Sequence, residues 1–428
     1  MRFFIWLLFS ATALAQGGPR VQLSHTTENL RGVSTVSGRI AWASGTHGTY
    51  LRTIDGGQVW TPAQVPDATA LDFRAIVAFS ADEAFLMSAG PGGQSRIYHT
   101  NDGGQLWDLQ FTNSNPKGFF DSMTFWDPKH GIVLGDPIPD EKGKLHFQLL
   151  ETEDGQSWHP IPASRLPEAV EGEGAFAASN SCIAILRSPN VILSEAVARA
   201  KREQLRSRRI PPFSPMLHEA AWKSGASALS EMPENQGTSA PVAADQNIWF
   251  ATGGKAARVF HSPDRGKSWE VFETPILHGP ESAGIFSIAF RDAQHGVIAG
   301  GDYKHPDDDG PNLAFTQDGG KKWTLSTLKP QAYFSAVAYD QQVNAEAIRQ
   351  QKEEQSGKES GKKLSLIPTA PQRLFIAGED FIFDFRPPNN PHRINGKKKE
   401  GFAFNAVSAY PEGGALVVGP KGTIAYLP

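Results

Sequence analysis

The stretch Thr53-Ile54-Asp55-Gly56-Gly57-Gln58-Val59-Trp60 decides how this chain is read. Its residue order predicts a tight β-turn. The Asp55 carboxylate accepts turn N–H groups, a glycine supplies positive φ, and Trp60 anchors the turn on apolar surface. The pattern returns at Thr100-Asp102-Gly104-Trp107, at Ser262-Asp264-Gly266-Trp269 and at Thr316-Asp318-Gly320-Trp323, and one residue short at Thr152-Asp154-Gly155-Trp158. A phrase repeated at intervals of several tens of residues is the mark of one supersecondary unit stacked many times.

Between the copies run short apolar segments with the length and punctuation of strands. Aligning the repeats places a first, inner strand at residues 32–36, 73–79, 120–125, 174–179, 285–290, 333–339 and 402–409. A second strand, apolar throughout and ending near glycine, follows each of them, for example at residues 84–87, 248–251 and 415–418. Third strands lead into the Asp turns and fourth strands follow each Trp. Seven inner strands predict an all-β, seven-bladed propeller. The last blade ends after Thr423-Ile424-Ala425-Tyr426 with three strands, and Val21-Gln22-Leu23-Ser24 near the N-terminus has the pattern of the missing fourth. Their pairing would close the ring and remove the exposed sheet edge.

Ser/Thr-x-Asp-x-Gly-x-x-Trp resembles the Asp-box, or BNR, motif of β-propellers such as sialidases, sortilin-type receptors and the exported photosystem II assembly-factor family. Seven blades, an exported chain and boxes shortened or missing in some blades are similar to the last of these over nearly all of the mature chain. That resemblance implies a non-catalytic propeller that binds a protein segment. The partner in that family is a photosystem subunit, which no residue here specifies, and a propeller is a scaffold for many chemistries.

Residues 1–15 (MRFFIWLLFSATALA) read as a secretory signal peptide, with one Arg, an apolar run and small residues before cleavage near Ala15. They are too short to span a membrane. The expectation is an exported, periplasmic or secreted monomer, residues 16–428 forming a single propeller. The sole cysteine, Cys182, permits no internal disulfide and reads as a buried small side chain. A net charge of -4 argues against nucleic acid as the main partner. Two insertions break the repeat, residues 187–246 in blade four and 341–372 in blade six. Both join first and second strands, on the face that carries the Asp boxes.

The opposite face is expected to hold the ligand, and its loops are rich in carboxylates. The candidates are Arg74 and Asp121 at the channel mouth, with Asp136, Glu173, Asp302, Tyr303, Asp307, Asp308 and Asp309 around them. Such a face could bind a cationic peptide or hold Ca²⁺, although residues 307–310 lack the spacing of a calcium loop. No other cofactor has a residue basis: there is no zinc signature, and no G-x-G-x-x-G follows a strand and opens a helix. The leading reading is a non-catalytic module that binds an exported protein or peptide. The alternative is a sialidase-like or other glycan-acting hydrolase, with Tyr333 as nucleophile and Glu173 or Glu281 as its partner. A glycan-binding module without turnover is a third reading. Arg209-Ile210-Pro211 matches a sialidase tripeptide but falls inside the blade-four insertion.

Overall fold

The computed structural model describes residues 18–186, 246–328, 332–340, 373–378, 381–385, 392–393 and 403–428. The expected leader, the blade-six insertion, the Arg209-Ile210-Pro211 tripeptide and the blade-four insertion up to Asp245 lie outside the described residues. What remains is a seven-bladed propeller of antiparallel sheets. The inner strands are Leu30–Ser37, Asp72–Ala78, Phe120–Phe125, Ile183–Ile185, Ala283–Phe290, Phe334–Tyr339 and Ala406–Ala409. The ring closes as the repeat pattern requires. Arg20–Gln22 pairs with Thr423–Leu427, Arg20 opposite Tyr426, Val21 opposite Ala425 and Gln22 opposite Ile424.

Second strands such as Ala84–Ala89, Leu374–Gly378 and Ala415–Gly419 are buried at every position, because each sheet packs against a neighbour on both faces. The apolar core is correspondingly divided. Seven clusters each fill the gap between two adjacent blades, from Trp42 and Phe73 between blades one and two to Phe375 and Val417 between six and seven. Burying one such side chain stabilises by about 1.5–3 kcal/mol, so the ring is held together mainly at its interfaces.

The Asp boxes brace those interfaces. In blade one Asp55 Oδ1 accepts the Val59 N–H at 3.0 Å and the Thr53 hydroxyl at 2.9 Å, while Thr53 Oγ1 accepts the Gly57 N–H at 2.9 Å. Gly56 and Gly57 both sit at φ 80°, where a Cβ is strained. The equivalent bonds form at Asp102, Asp154, Asp264 and Asp318. Each box Trp packs on the interface with the preceding blade: Trp60, Trp107, Trp158, Trp269 and Trp323 border five successive clusters. Trp60 Nε1 donates to Gln22 Oε1 at 2.8 Å, and Trp158 Nε1 to Gln110 Oε1 at 2.9 Å, each glutamine lying on the outer strand of the blade before.

Blade four departs from the expectation. Its inner strand is Ile183–Ile185, paired with Ile248–Ala251, and not residues 174–179. Glu173–Gly174 pairs instead with Gly253–Gly254, and these short strands extend the sheet of blade five. Residues 175–182 bulge between them. The segment Ala175-Phe176-Ala177-Ala178-Ser179-Asn180-Ser181 has no alternation of large apolar side chains to hold a register, and Asn180 tolerates its left-handed φ of 57°. Cys182 and Ile183 then re-enter the core between blades three and four.

Candidate functional site

The loops joining second to third strands, and blade to blade, lie on the face opposite the Asp boxes, where the inner strands begin. Near the start of five of those strands the ladder skips a residue. The β-bulges fall between Leu30 and Gly32, Phe73 and Ala75, Phe120 and Ser122, Ile285 and Ser287, and Phe334 and Ala336. The skipped residues are Arg31, Arg74, Asp121, Phe286 and Ser335. A bulge re-aims a side chain that a regular strand would send to one sheet face. The same device, repeated around the ring, builds the channel mouth.

Two guanidiniums meet there. Arg74 Nε donates to Asp72 Oδ2 at 2.9 Å, and its Nη1 reaches past blade three to the Ala177 carbonyl at 3.1 Å. Arg31 Nε stands 3.8 Å from the same Asp72 oxygen and, like Asp72 Oδ1, has no hydrogen-bond partner among the described residues. Burial pulls the Arg31 guanidinium below its usual pKa, opposed by the charge of Asp72. Beside them the bulged segment of blade four is tied to three blades. Asn180 Oδ1 accepts from Ser122 Oγ at 3.1 Å and from the Met123 N–H at 2.8 Å, and Ser181 Oγ donates to Ser287 Oγ at 2.7 Å.

The carboxylates at this face divide by environment. Asp121 is 1% exposed, with Oδ2 unpartnered among the described residues. Burial, then the neighbouring Asp136, push its carboxyl well above the usual range, with Arg74 opposing. Burial also raises Asp136 to about 6, although its Oδ1 accepts the Ala175 N–H at 3.0 Å. Glu173 is committed elsewhere. Its buried carboxylate takes the Arg258 Nε at 2.9 Å, the Thr252 hydroxyl at 2.7 Å and the Val170 N–H at 3.0 Å, and it forms an ion pair through Arg258 Nη2. That pairing removes it as a partner for a Tyr333 nucleophile. Glu281 is exposed on the loop before blade five.

Asp302 is likewise a loop cap and not a surface ligand. It is buried, and its oxygens accept the Lys304 N–H and meet His305 Nδ1, both at 2.9 Å. Burial would raise its carboxyl, but the bonds from His305, Ser282 and Lys304 hold it below the usual range. Asp307, Asp308 and Asp309 are exposed at the rim. Among the described residues no three His, Cys, Asp or Glu side chains gather as a metal-holding group. Around Phe286 an aromatic cluster completes the mouth: Phe176 stacks on it at 3.9 Å, Tyr333 meets it edge-on at 4.9 Å, and Tyr303, 48% exposed, at 6.1 Å.

Sequence reasoning found Arg74 and Asp121 but missed Arg31, Asp72, Phe176 and Phe286. A signal existed. In Leu30-Arg31-Gly32, Phe73-Arg74-Ala75, Phe120-Asp121-Ser122 and Ile285-Phe286-Ser287 the bulged residue stands between a large apolar and a small one. The expectation of an acidic face also needs correction. The rim is acidic, but the centre also carries two arginines, Arg31 and Arg74, both turned to Asp72.

No protein-family model matches the chain. A Photosystem II assembly protein Ycf48 from Synechococcus sp. (strain JA-2-3B'a(2-13)) is 27% identical over 284 residues, 60% of this chain and 78% of that one. Among solved structures, YCF48 bound to D1 peptide superposes with a TM-score of 0.57 at 13% identity, covering 97% of this chain and 96% of the other. YCF48 from Cyanidioschyzon merolae gives 0.51 at 14% identity, covering 96% and 98%. A streptogramin B lyase, a propeller of other function, gives 0.52 at 9% identity over 95% of both chains, so these superpositions speak to fold. The chain is a seven-bladed propeller similar, in sequence and in fold, to the Ycf48 photosystem II assembly proteins.

Proposed function

We propose that this chain is an exported, non-catalytic propeller that binds a peptide segment of a protein partner at the channel mouth, as an assembly factor does. The observation that carries the reading is the ring of bulged residues. Arg31 and Arg74 converge on Asp72, Arg31 Nε and Asp72 Oδ1 lack hydrogen-bond partners among the described residues, and an aromatic cluster lies alongside. A peptide supplies what this surface lacks: a carboxylate or carbonyl for Arg31, N–H groups for Asp72, and apolar area for Phe176 and Tyr303. The likeness to Ycf48 proteins, one of them bound to D1 peptide, supports the mode of binding. The proposal carries over that mode and not the photosystem subunit. Export rests on the signal-peptide pattern of residues 1–15.

The rival hydrolase would require three arginines around one substrate carboxylate and a Tyr/Glu pair. The mouth brings together two arginines, both turned to Asp72, and Glu173 is held by Arg258.

Capture from the exported fraction tests the proposal. The native protein, Arg31→Ala, and the triple variant Asp307→Asn, Asp308→Asn, Asp309→Asn are compared side by side. A partner retained by the native protein and lost from Arg31→Ala supports peptide recognition at the mouth, and loss from the triple variant adds the rim. Equal capture by all three moves the site elsewhere. Turnover of a fluorogenic sialoside or hexoside panel by the native protein refutes the non-catalytic reading.

A further inference from the structure

Blade three carries a cavity of about 370 Å³ that no part of the mouth uses. Its cause is local. The outer strand of this blade is only His159–Pro160, paired at Leu150 and Glu151, because Pro160 and Pro162 have no N–H to donate to a longer ladder. The second strand meanwhile runs nine residues, from Gly131 to Pro139. The third strand therefore extends beyond its outer neighbour, and a slot opens over Phe147 and Gln148.

The slot opens on the same face as the channel mouth. Residues 113–115, which follow the outer strand of blade two, border it, and so do residues 138–140 at the end of the second strand of blade three. Phe111, Phe147, Ile161 and Leu166 give it apolar walls of a size that takes one large side chain or a small ligand, within the usual range of about 300–1,000 Å³. Its polar lining is Asn113, Ser114, Asn115, Gln148, Asp140 and the buried His146, whose Nε2 stands 3.5 Å from Asp140 Oδ2. Asn113 Nδ2 donates to Gln148 Oε1 at 3.2 Å, leaving that oxygen a second lone pair. Asp140 Oδ1 takes the Lys142 and Lys144 N–H groups at 2.8 and 2.9 Å. Those bonds, that of Lys144 foremost, keep the carboxyl below its usual pKa and so ionised at neutral pH.

We propose that this cavity is an anchor pocket for one uncharged aromatic side chain with a donor at its tip, Trp or Tyr, presented by the peptide bound at the mouth. An ionised carboxylate at the lip disfavours an acidic occupant, and the amides accept a donor as readily as they offer one. An aromatic body with a polar tip matches apolar walls around polar groups, and buried aromatic anchors of this kind dominate peptide and protein recognition. The inference rests on the peptide-binding reading and adds the identity of one residue in the partner.

The probe is N-acetyl-tryptophanamide, with N-acetyl-tryptophan, which carries a carboxylate, as the control. Saturation-transfer NMR and titration calorimetry on the full chain should show saturable binding of the amide with Kd on the order of 1 mM, and binding of the acid at least about tenfold weaker. Ala163→Trp, which fills the pocket from an exposed lining position, should abolish amide binding. Gln148→Ala, which leaves the apolar walls in place, should weaken it about three- to tenfold. Absence of saturable binding, or equal binding by native protein and Ala163→Trp, overturns the anchor pocket. That outcome is independent of the capture experiment, which tests the mouth alone.

Discussion

Removing the chain through Gln22 should open the ring, and the size of the effect can be worked out. Arg20–Gln22 makes three residue pairs with Thr423–Leu427. Gln22 adds a bond from Trp60 Nε1 at 2.8 Å and one from its own Nε2 to the Gly56 carbonyl at 3.2 Å. Little apolar area is lost, since Val21 is 61% exposed. At roughly 1 kcal/mol net per hydrogen bond, the loss is about 3–5 kcal/mol. With an unfolding entropy near 2.1 cal/mol/K per residue, a chain of this size should melt about 4–6 °C lower. The deletion also bares the edge of Thr423–Leu427, so a dimer should form as concentration rises. Circular dichroism melts and size-exclusion chromatography read the two effects. A synthetic peptide of residues 18–26, added in trans at about 100 times its Kd, should restore about 2.7 kcal/mol, and a scrambled peptide should not. An unchanged melting temperature, or equal rescue by both peptides, would refute closure by this strand.

Glu173→Gln should strand the Arg258 charge and cost about 3–5 kcal/mol in urea unfolding, while adding Arg258→Met should recover much of it; an unaffected midpoint in the single variant would contradict the buried pair. Asp136, pushed up to about 6 from a usual 3.8, favours the fold while protonated. Its contribution is complete at pH values below 3.8 and is lost as pH rises through 6. Asp136→Asn should therefore flatten the stability profile between pH 4 and 8 by at most about 3 kcal/mol, measured by denaturant titration across that range. Asp154 runs the other way: the Ser157 and Gln156 N–H groups hold its carboxyl far below the usual range, so its contribution is present at pH 7 and fades on acidification. Asp154→Asn should melt below the native protein at pH 7, with the gap narrowing in strong acid; a gap constant with pH would show that ionisation is not what the turn uses.

The Asp boxes and the blade count were legible in the sequence because they are local. Asp55 bonds to Val59 and Thr53 to Gly57, spans of four residues, so residue order alone encodes the turn. The strand series followed from its periodicity and from the spacing between boxes. Closure was legible for a related reason: one blade lacked a strand, one strand lacked a blade, and an open edge is costly. The channel mouth was not. Arg31, Arg74, Asp121 and Phe286 come from four blades and share one face only because the ring closes, and the bulges at which they sit are a property of strand pairing. Glu173 looked like a ligand until the fold brought Arg258 to it across 85 residues. The inner strand of blade four was misplaced because small residues leave register to be settled by the neighbours of Asn180, Ser181 and Ile183. The sequence by itself determined the repeating turns, the strands and the ring they make. Only the tertiary structure decided which charges are buried, which are paired and which face the channel, since those depend on residues far apart in the chain and on how much water the folded ring excludes.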